Sequence, residues 1–327
     1  MPNETTAIEM PERKVLLNPG PAATTDSVKL AQLVCDICPR EKEFGEVMEQ
    51  VAADLTKVVH GDAAGYSAVL FCGSGTVCID ASLSSFLPGE GKALIVDNGA
   101  YSSRAAEVCE FYGMPHTDLK LPIDRPVDPA DVERALAADN VDACMASAQK
   151  GIQGMTGLSF IIARTELIER SAGYPKRSYY CNVYQQYDYF RKTGQMHFTP
   201  PVQTIYAAKQ ALAEYFEEGE QAKYERHMAM AERIHKGLER LGLKEAIDRG
   251  FQSGLVVSVV YPDDPRWSFE RVHDYCYERG FTIYPGKITG TDTFRLCTLG
   301  AIYPDDIDAF FDVLEGALAD LGMELPL

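Results

Sequence analysis

Lys150 stands in Ser147-Ala148-Gln149-Lys150-Gly151-Ile152-Gln153-Gly154, a short polar and glycine-rich stretch. That stretch runs at once into the apolar Leu158-Ser159-Phe160-Ile161-Ile162-Ala163. Lysine rarely lies inside a protein unless it is paired, and a desolvated ammonium gives up its proton more readily. The neutral amine attacks aldehydes and forms a Schiff base. A strand-edge lysine whose head reaches water is the plainer alternative. What else the chain carries decides between them.

Gly73-Ser74-Gly75-Thr76 follows an apolar run, Ser67 to Cys72, and precedes a helical pattern from Val77 to Phe86. A helix start offers free N–H groups and a partial positive charge, and glycines let an anion approach the backbone closely. Ser74, Gly75 and Thr76 therefore suit a phosphate, although the run is neither a dinucleotide fingerprint nor a P-loop. An ordinary helix capped by serine or threonine is the alternative. Tyr101, in Asn98-Gly99-Ala100-Tyr101, falls at the carboxyl edge of the next strand, where open parallel sheets bind ligands. Its ring can stack on a flat heterocycle. Arg295 interrupts the apolar strand Phe294-Arg295-Leu296-Cys297 and has the planar fork that holds a carboxylate. A snorkelling arginine, or one paired with Asp292, would look the same. Together these are a phosphate cradle, a stacking ring, an aldehyde-capturing lysine and a carboxylate clamp. Pyridoxal-phosphate enzymes need those parts, with the cofactor as electron sink.

Strands and helices must alternate to position such groups. Strands are expected near residues 67–72 and 92–97, with helices over 77–86 and 102–111. This pattern predicts an α/β fold with a mostly parallel sheet covered by helices. Residues 206–241 read as two helices broken near Gly219, leading to a smaller unit. Its strands are expected at 255–261, 281–284 and 293–299, and its helices at 269–279 and 304–321. The division is residues 1–210 for an N-terminal arm and large domain, and 211–327 for connector helices and a small C-terminal α+β domain.

The 327 residues are 46% hydrophobic, enough for a large core, and carry a net charge of −17. That field repels nucleic acid and anionic membrane, so neither is an expected partner. The nine cysteines are scattered through apolar runs, which fits reduced thiols in the cytoplasm. Cys35 and Cys38 form one C-x-x-C pair without a second pair or histidines at ligand spacing, so no metal is expected.

The chain resembles the class V aminotransferases of fold type I, and among them those acting on 2-aminoethylphosphonate and pyruvate. The matching stretches are Leu16-Leu17-Asn18-Pro19-Gly20-Pro21, Asp36-Ile37-Cys38-Pro39-Arg40-Glu41, Gly73 to Thr76, Asn98 to Tyr101, Ser147 to Gly154, Phe198-Thr199, Tyr284-Pro285-Gly286-Lys287 and Phe294-Arg295. The resemblance implies a fold-type I transferase that binds pyridoxal 5'-phosphate. It implies that Lys150 binds the cofactor covalently and moves the proton. Ser74, Gly75 and Thr76 would bind the phosphate, Tyr101 the ring, and Ser147 and Gln149 either end. Thr199 would reach the cofactor of a neighbouring subunit, which implies a homodimer. Arg295 would hold the carboxylate of pyruvate or alanine; Arg40 and the Asn18 segment are the candidates for the phosphonate. An alanine–glyoxylate or serine–pyruvate aminotransferase is the alternative within the cofactor class. A non-catalytic relative of the fold is the alternative outside it.

The chain departs from this resemblance at one place. Such relatives carry several tens of additional residues before the lysine motif, ending a strand in the aspartate that pairs with the ring nitrogen. Here Asn140-Val141-Asp142-Ala143-Cys144 passes directly into Met145-Ala146-Ser147, an apparent internal gap near residues 144–145. A strand, crossover helix and second strand need about thirty residues. Asp142 is too close to Lys150 to be that aspartate and is read as the start of an earlier strand.

Overall fold

The structure, a computed structural model, describes residues 9–62, 65–135, 143–286, 288 and 290–327. Asp142 and Lys287 lie outside them. The elements run β1 (Val15–Leu16), α1 (Asp26–Leu30), α2 (Lys42–Val58), β2 (Tyr66–Cys72), α3 (Gly75–Phe86), β3 (Ala93–Asp97), α4 (Ala100–Phe111), β4 (His116–Lys120) and α5 (Pro129–Ala135). They continue with β5 (Ala143–Ser147), β6 (Leu158–Arg164), α6 (Thr165–Arg170), α7 (Val183–Thr193), α8 (Val202–Glu218) and α9 (Glu220–Leu241). The last are β7 (Val256–Val260), α10 (Phe269–Glu278), β8 (Phe281–Thr282), β9 (Tyr284–Pro285), β10 (Thr293–Cys297) and α11 (Pro304–Asp320).

The strand β6 is buried from Leu158 to Ala163, as expected of a strand covered on both faces. Its side chains alternate. Leu158, Phe160 and Ile162 pack with Phe44, Met48 and Val51 of α2 and Ile205, Ala208 and Leu212 of α8. Ile161 and Ala163 face the other way, toward Cys78 and Ala81 of α3 and Val183 of α7. The result is a sheet between two helical layers, the α/β architecture that the alternation predicts. Strand β6 is antiparallel to both β2 and β5, so those two run the same way. Strand β3 pairs in parallel with β4. Among the described residues β5 has no partner but β6, and β3 none but β4. Each therefore keeps one open edge. Cys144 and Met145 are consecutive positions of β5, opposite Ile162 and Ile161, so the chain crosses the apparent gap without leaving the strand.

A second core gathers α9, α10 and α11 over β7 and β10, with Phe294, Leu296, Phe310, Leu314 and Leu318 fully buried. The helices α8 and α9 break at Gly219, whose φ of 81° suits glycine. The N-terminal segment joins this core. Strand β1 pairs with β8, Val15 and Leu17 are buried there, and Arg13 forks onto Asp306 at 2.7 and 2.8 Å. That path carries residues 17–21 across to the lysine turn.

Candidate active site

Helix α3 begins where β2 ends, because Gly73, at φ 148°, turns the chain. Ser74 is its N-cap, yet the Ser74 hydroxyl makes no capping bond. The N–H groups of Gly75 and Thr76 and the Ser74 hydroxyl are thus open to an anion, and the Thr76 hydroxyl, which accepts from Arg104 Nη1, keeps its own proton to donate. A methyl group on Gly75 would sit 3.4 Å from Ser147 Oγ, so Ser147 closes the opposite wall of the cradle. Ser147 is buried and ends β5. Ser74, Gly75, Thr76, Tyr101, Ser147, Gln149 and Lys150 all line one cavity of about 750 Å³. Gln149 Oε1 is buried there and has no hydrogen-bond partner in the protein. A buried acceptor of that kind calls for a donor from outside.

Lys150 lies in the turn after β5. Its Nζ donates to the carbonyl of Pro19 at 2.8 Å. Gly20 presses against the same side chain: a Cβ built on Gly20 would be 2.7 Å from both Nζ and Cδ. The backbone of residues 19–20 therefore forms a trough that aims the amine, and only a residue without a side chain fits it. The ring of Tyr101 is 5.9 Å from Lys150 Nζ and 5.5 Å from the Arg104 guanidinium. Tyr101 is 60% exposed, so one ring face is open to a flat ligand.

The other two expected residues lie outside the cavity lining. Thr199 is exposed, after the aromatic run of His197 and Phe198. Arg295 Nε donates to the carbonyl of Pro285 at 3.1 Å. Arg295 nevertheless shares a neighbourhood with the lysine. Burial pushes the Cys297 thiol up to about 11, and the charges of both Lys150 and Arg295 act against that rise. Arg40 is bound to Gln195 and to the Met196 carbonyl, and Asn18 to the Pro21 carbonyl. Neither lines the cavity. Sequence reasoning missed Arg104 and the Gly20 contact. Arg104 follows Tyr101 by three residues, a spacing that puts both on one helix face; the Gly20 contact had no local signal.

Pyridoxal phosphate fits this lining at two ends. The open helix start and paired hydroxyls suit its ester, and Lys150 suits its aldehyde. The wall between is apolar, formed by Ile79, Leu83, Leu94 to Val96 and Met145. No carboxylate lines the cavity among the described residues.

Residues 136–287 match the family model for Aminotransferase class-V. A protein of Polaromonas sp., 2-aminoethylphosphonate–pyruvate transaminase 2, is 30% identical over 371 residues, covering 96% of this chain and 98% of that protein. That span exceeds the 327 residues here, so the relative carries residues that this chain lacks. The solved ureidoglycine–glyoxylate aminotransferase of Bacillus subtilis superimposes with a TM-score of 0.85 at 17% identity, over 98% of this chain and 96% of that one. A PLP-bound phosphoserine aminotransferase from Trichomonas vaginalis superimposes with a TM-score of 0.74 at 16% identity, over 93% and 100%.

Proposed function

The chain belongs to the class V aminotransferases, in the family of 2-aminoethylphosphonate–pyruvate transaminases, and from that membership we propose that it moves the amino group of 2-aminoethylphosphonate to pyruvate, giving phosphonoacetaldehyde and alanine. It is a pyridoxal-phosphate enzyme. The observation that carries the reading is the convergence of Lys150, the start of α3 and the Tyr101 ring on one cavity. The cofactor, when bound, supplies an aldehyde that takes up the amino group and a ring that spreads the carbanion's electron pair.

The protein residues do the rest. Ser74, Gly75 and Thr76 anchor an ester phosphate through helix-start N–H groups and hydroxyls. Ser147 adds a hydroxyl across the cradle, and Gln149 Oε1 accepts from a donor on the ligand. Tyr101 covers one face of the ring. The Pro19 carbonyl and the Gly20 backbone hold Lys150 Nζ in line, so the amine reaches the aldehyde without a search over rotamers. Lys150 Nζ would be the base that takes the proton from the amino-bearing carbon of the donor and the acid that delivers it to the cofactor's aldehyde-derived carbon, with the reverse transfer in the second half-reaction. Arg295 holds the carboxylate of pyruvate or alanine through its fork. Its donation to a backbone carbonyl leaves the terminal nitrogens for that task. In a chain of net charge −17, anionic substrates are drawn by such local cations and not by the global field.

Thr199, exposed and away from the cavity of its own chain, is read as a contact to the cofactor phosphate of a second subunit, which makes the enzyme a homodimer. Its setting is read as cytoplasmic. Among the described residues no helix is long and apolar enough to cross a membrane. The test is formation of alanine from pyruvate with 2-aminoethylphosphonate as donor, compared with serine as donor and with alanine plus glyoxylate. Turnover that prefers either of the other pairs overturns the substrate assignment.

A further inference from the structure

We propose that Arg104 is a second clamp on the cofactor's phosphate, closing the cradle from the α4 side. The proposal rests on the cofactor reading above and adds a residue to it. Arg104 lies one turn after Tyr101 on α4, so the two side chains share a face and line the same cavity. Its Nη1 donates to Thr76 Oγ1 at 3.2 Å. Thr76 is in the first turn of α3, where the helix's free N–H groups point. The guanidinium is therefore held at the anion end of the cavity, not at the aldehyde end.

Two further observations point to an anion. Arg104 makes no ion pair with a carboxylate among the described residues, although acidic side chains outnumber basic ones by 48 to 31 in the chain. A guanidinium has five N–H donors in a fixed fork, and one neutral hydroxyl leaves most of them unused. The fork matches two phosphate oxygens at once. The hydroxyl of Thr76 then has a double role: it accepts from Arg104 and keeps its own proton for the anion, so the cation is aimed by the residue beside its target. Lys150 is the other cation in the cavity lining, and its amine is committed to the Pro19 carbonyl and the aldehyde. Without Arg104 the ester dianion would face only dipoles.

The experiment titrates apoprotein with pyridoxal 5'-phosphate and, separately, with pyridoxal, which has the same ring and aldehyde but no phosphate. Binding is followed by absorbance and by tyrosine fluorescence, for the wild type, Arg104→Ala and Arg104→Lys. Arg104→Ala should weaken the phosphorylated ligand roughly 10- to 100-fold, the range for hydrogen bonds to charged groups. The same change should leave pyridoxal within about threefold of the wild type. Arg104→Lys keeps the charge without the fork and should fall between. An equal loss for both ligands assigns Arg104 to the ring or the fold and overturns the proposal. Unchanged affinity for the phosphorylated ligand overturns it too. A loss confined to the amino donor's KM, with both cofactor forms bound normally, would assign Arg104 to the substrate anion instead. If the wild type binds neither ligand, the cofactor reading falls, and that result is distinct from all three.

Discussion

Gly20→Ala tests the aim of the lysine without touching the lysine itself. Two penalties add at this position. The backbone at φ 132° is one that side chains rarely adopt, which costs of order 1–3 kcal/mol in stability. The new Cβ would also lie 2.7 Å from Lys150 Nζ and Cδ and 2.9 Å from Cε. Those atoms are the far end of a flexible side chain, so they move and the fold survives. Moving them pulls Nζ off the Pro19 carbonyl, a bond of a charged donor worth roughly 1.5–3 kcal/mol. That corresponds to about a 10- to 100-fold loss of amines in the productive position. The assay is borohydride fixation of pyridoxal phosphate, with the label on Lys150 quantified by peptide mapping at limiting cofactor. Gly113→Ala is the control. Gly113 has φ 63° but open space around it, so it carries the backbone penalty alone. Both variants should melt earlier than the wild type, and only Gly20→Ala should lose label. Equal labelling of Lys150 in Gly20→Ala and wild type would refute the trough.

Lys150→Ala should lose turnover entirely while keeping the melting temperature within a few degrees, measured by alanine formation and calorimetry; residual transamination above background would remove the lysine from its role. Arg295→Ala should raise the KM for pyruvate about 10- to 100-fold and leave the amino donor's KM in place, as initial rates with each substrate varied would show. Acid should act through a buried histidine. Burial, with the charges of Arg226 and Lys223, lowers His227 to about 4, and its Nδ1 bonds to the Thr298 carbonyl. The unfolded chain therefore binds a proton between pH 6.5 and 4 that the folded one refuses, so stability falls as pH drops through that window, by about 1–3 kcal/mol. His227→Gln should flatten the melting-temperature profile between pH 6.5 and 4; an unchanged slope would point to other groups.

The elements were legible where local signals are strong. Glycine punctuation at Gly73 and Gly219, the apolar run of β6 and the polar turn around Lys150 all lie where the pattern puts them. The α3 helix starts at Gly75, two residues before the apolar periodicity, because Gly75 and Thr76 line the cavity and pack into no core. The parts that stayed hidden are non-local. Nothing near Val15 says that it pairs beside Phe281, since a two-residue strand has no periodicity to read. Gly20 looks like a turn glycine until Lys150, 130 positions away, is laid against it. Arg104 has polar neighbours, Ser103 and Glu107, and its partner Thr76 is on another element, so nothing local marks it out.

The apparent splice is where sequence and structure bear most directly on chemistry. Residues 144 and 145 are joined without a break inside β5, yet β5 and β3 each keep an edge unpaired among the described residues, and both strands line the cavity. Parallel strands inside an α/β layer are hydrogen-bonded on both sides, except at the rim. Two edges without a partner among the described residues thus border one cavity, in a chain shorter than its match to the Polaromonas relative. The residues proposed for the ester and aldehyde come from α3, β5 and the lysine turn, and Tyr101 and Arg104 join them from α4. Cofactor capture as proposed therefore rests on elements that this chain has. Carbanion stabilisation would call for a carboxylate beside the ring nitrogen, and the described lining of the cavity supplies none. An apolar wall does not keep a pyridine protonated. Binding and turnover would then be separable in this chain, the first resting on the cradle and Lys150 and the second on a charged partner for the ring.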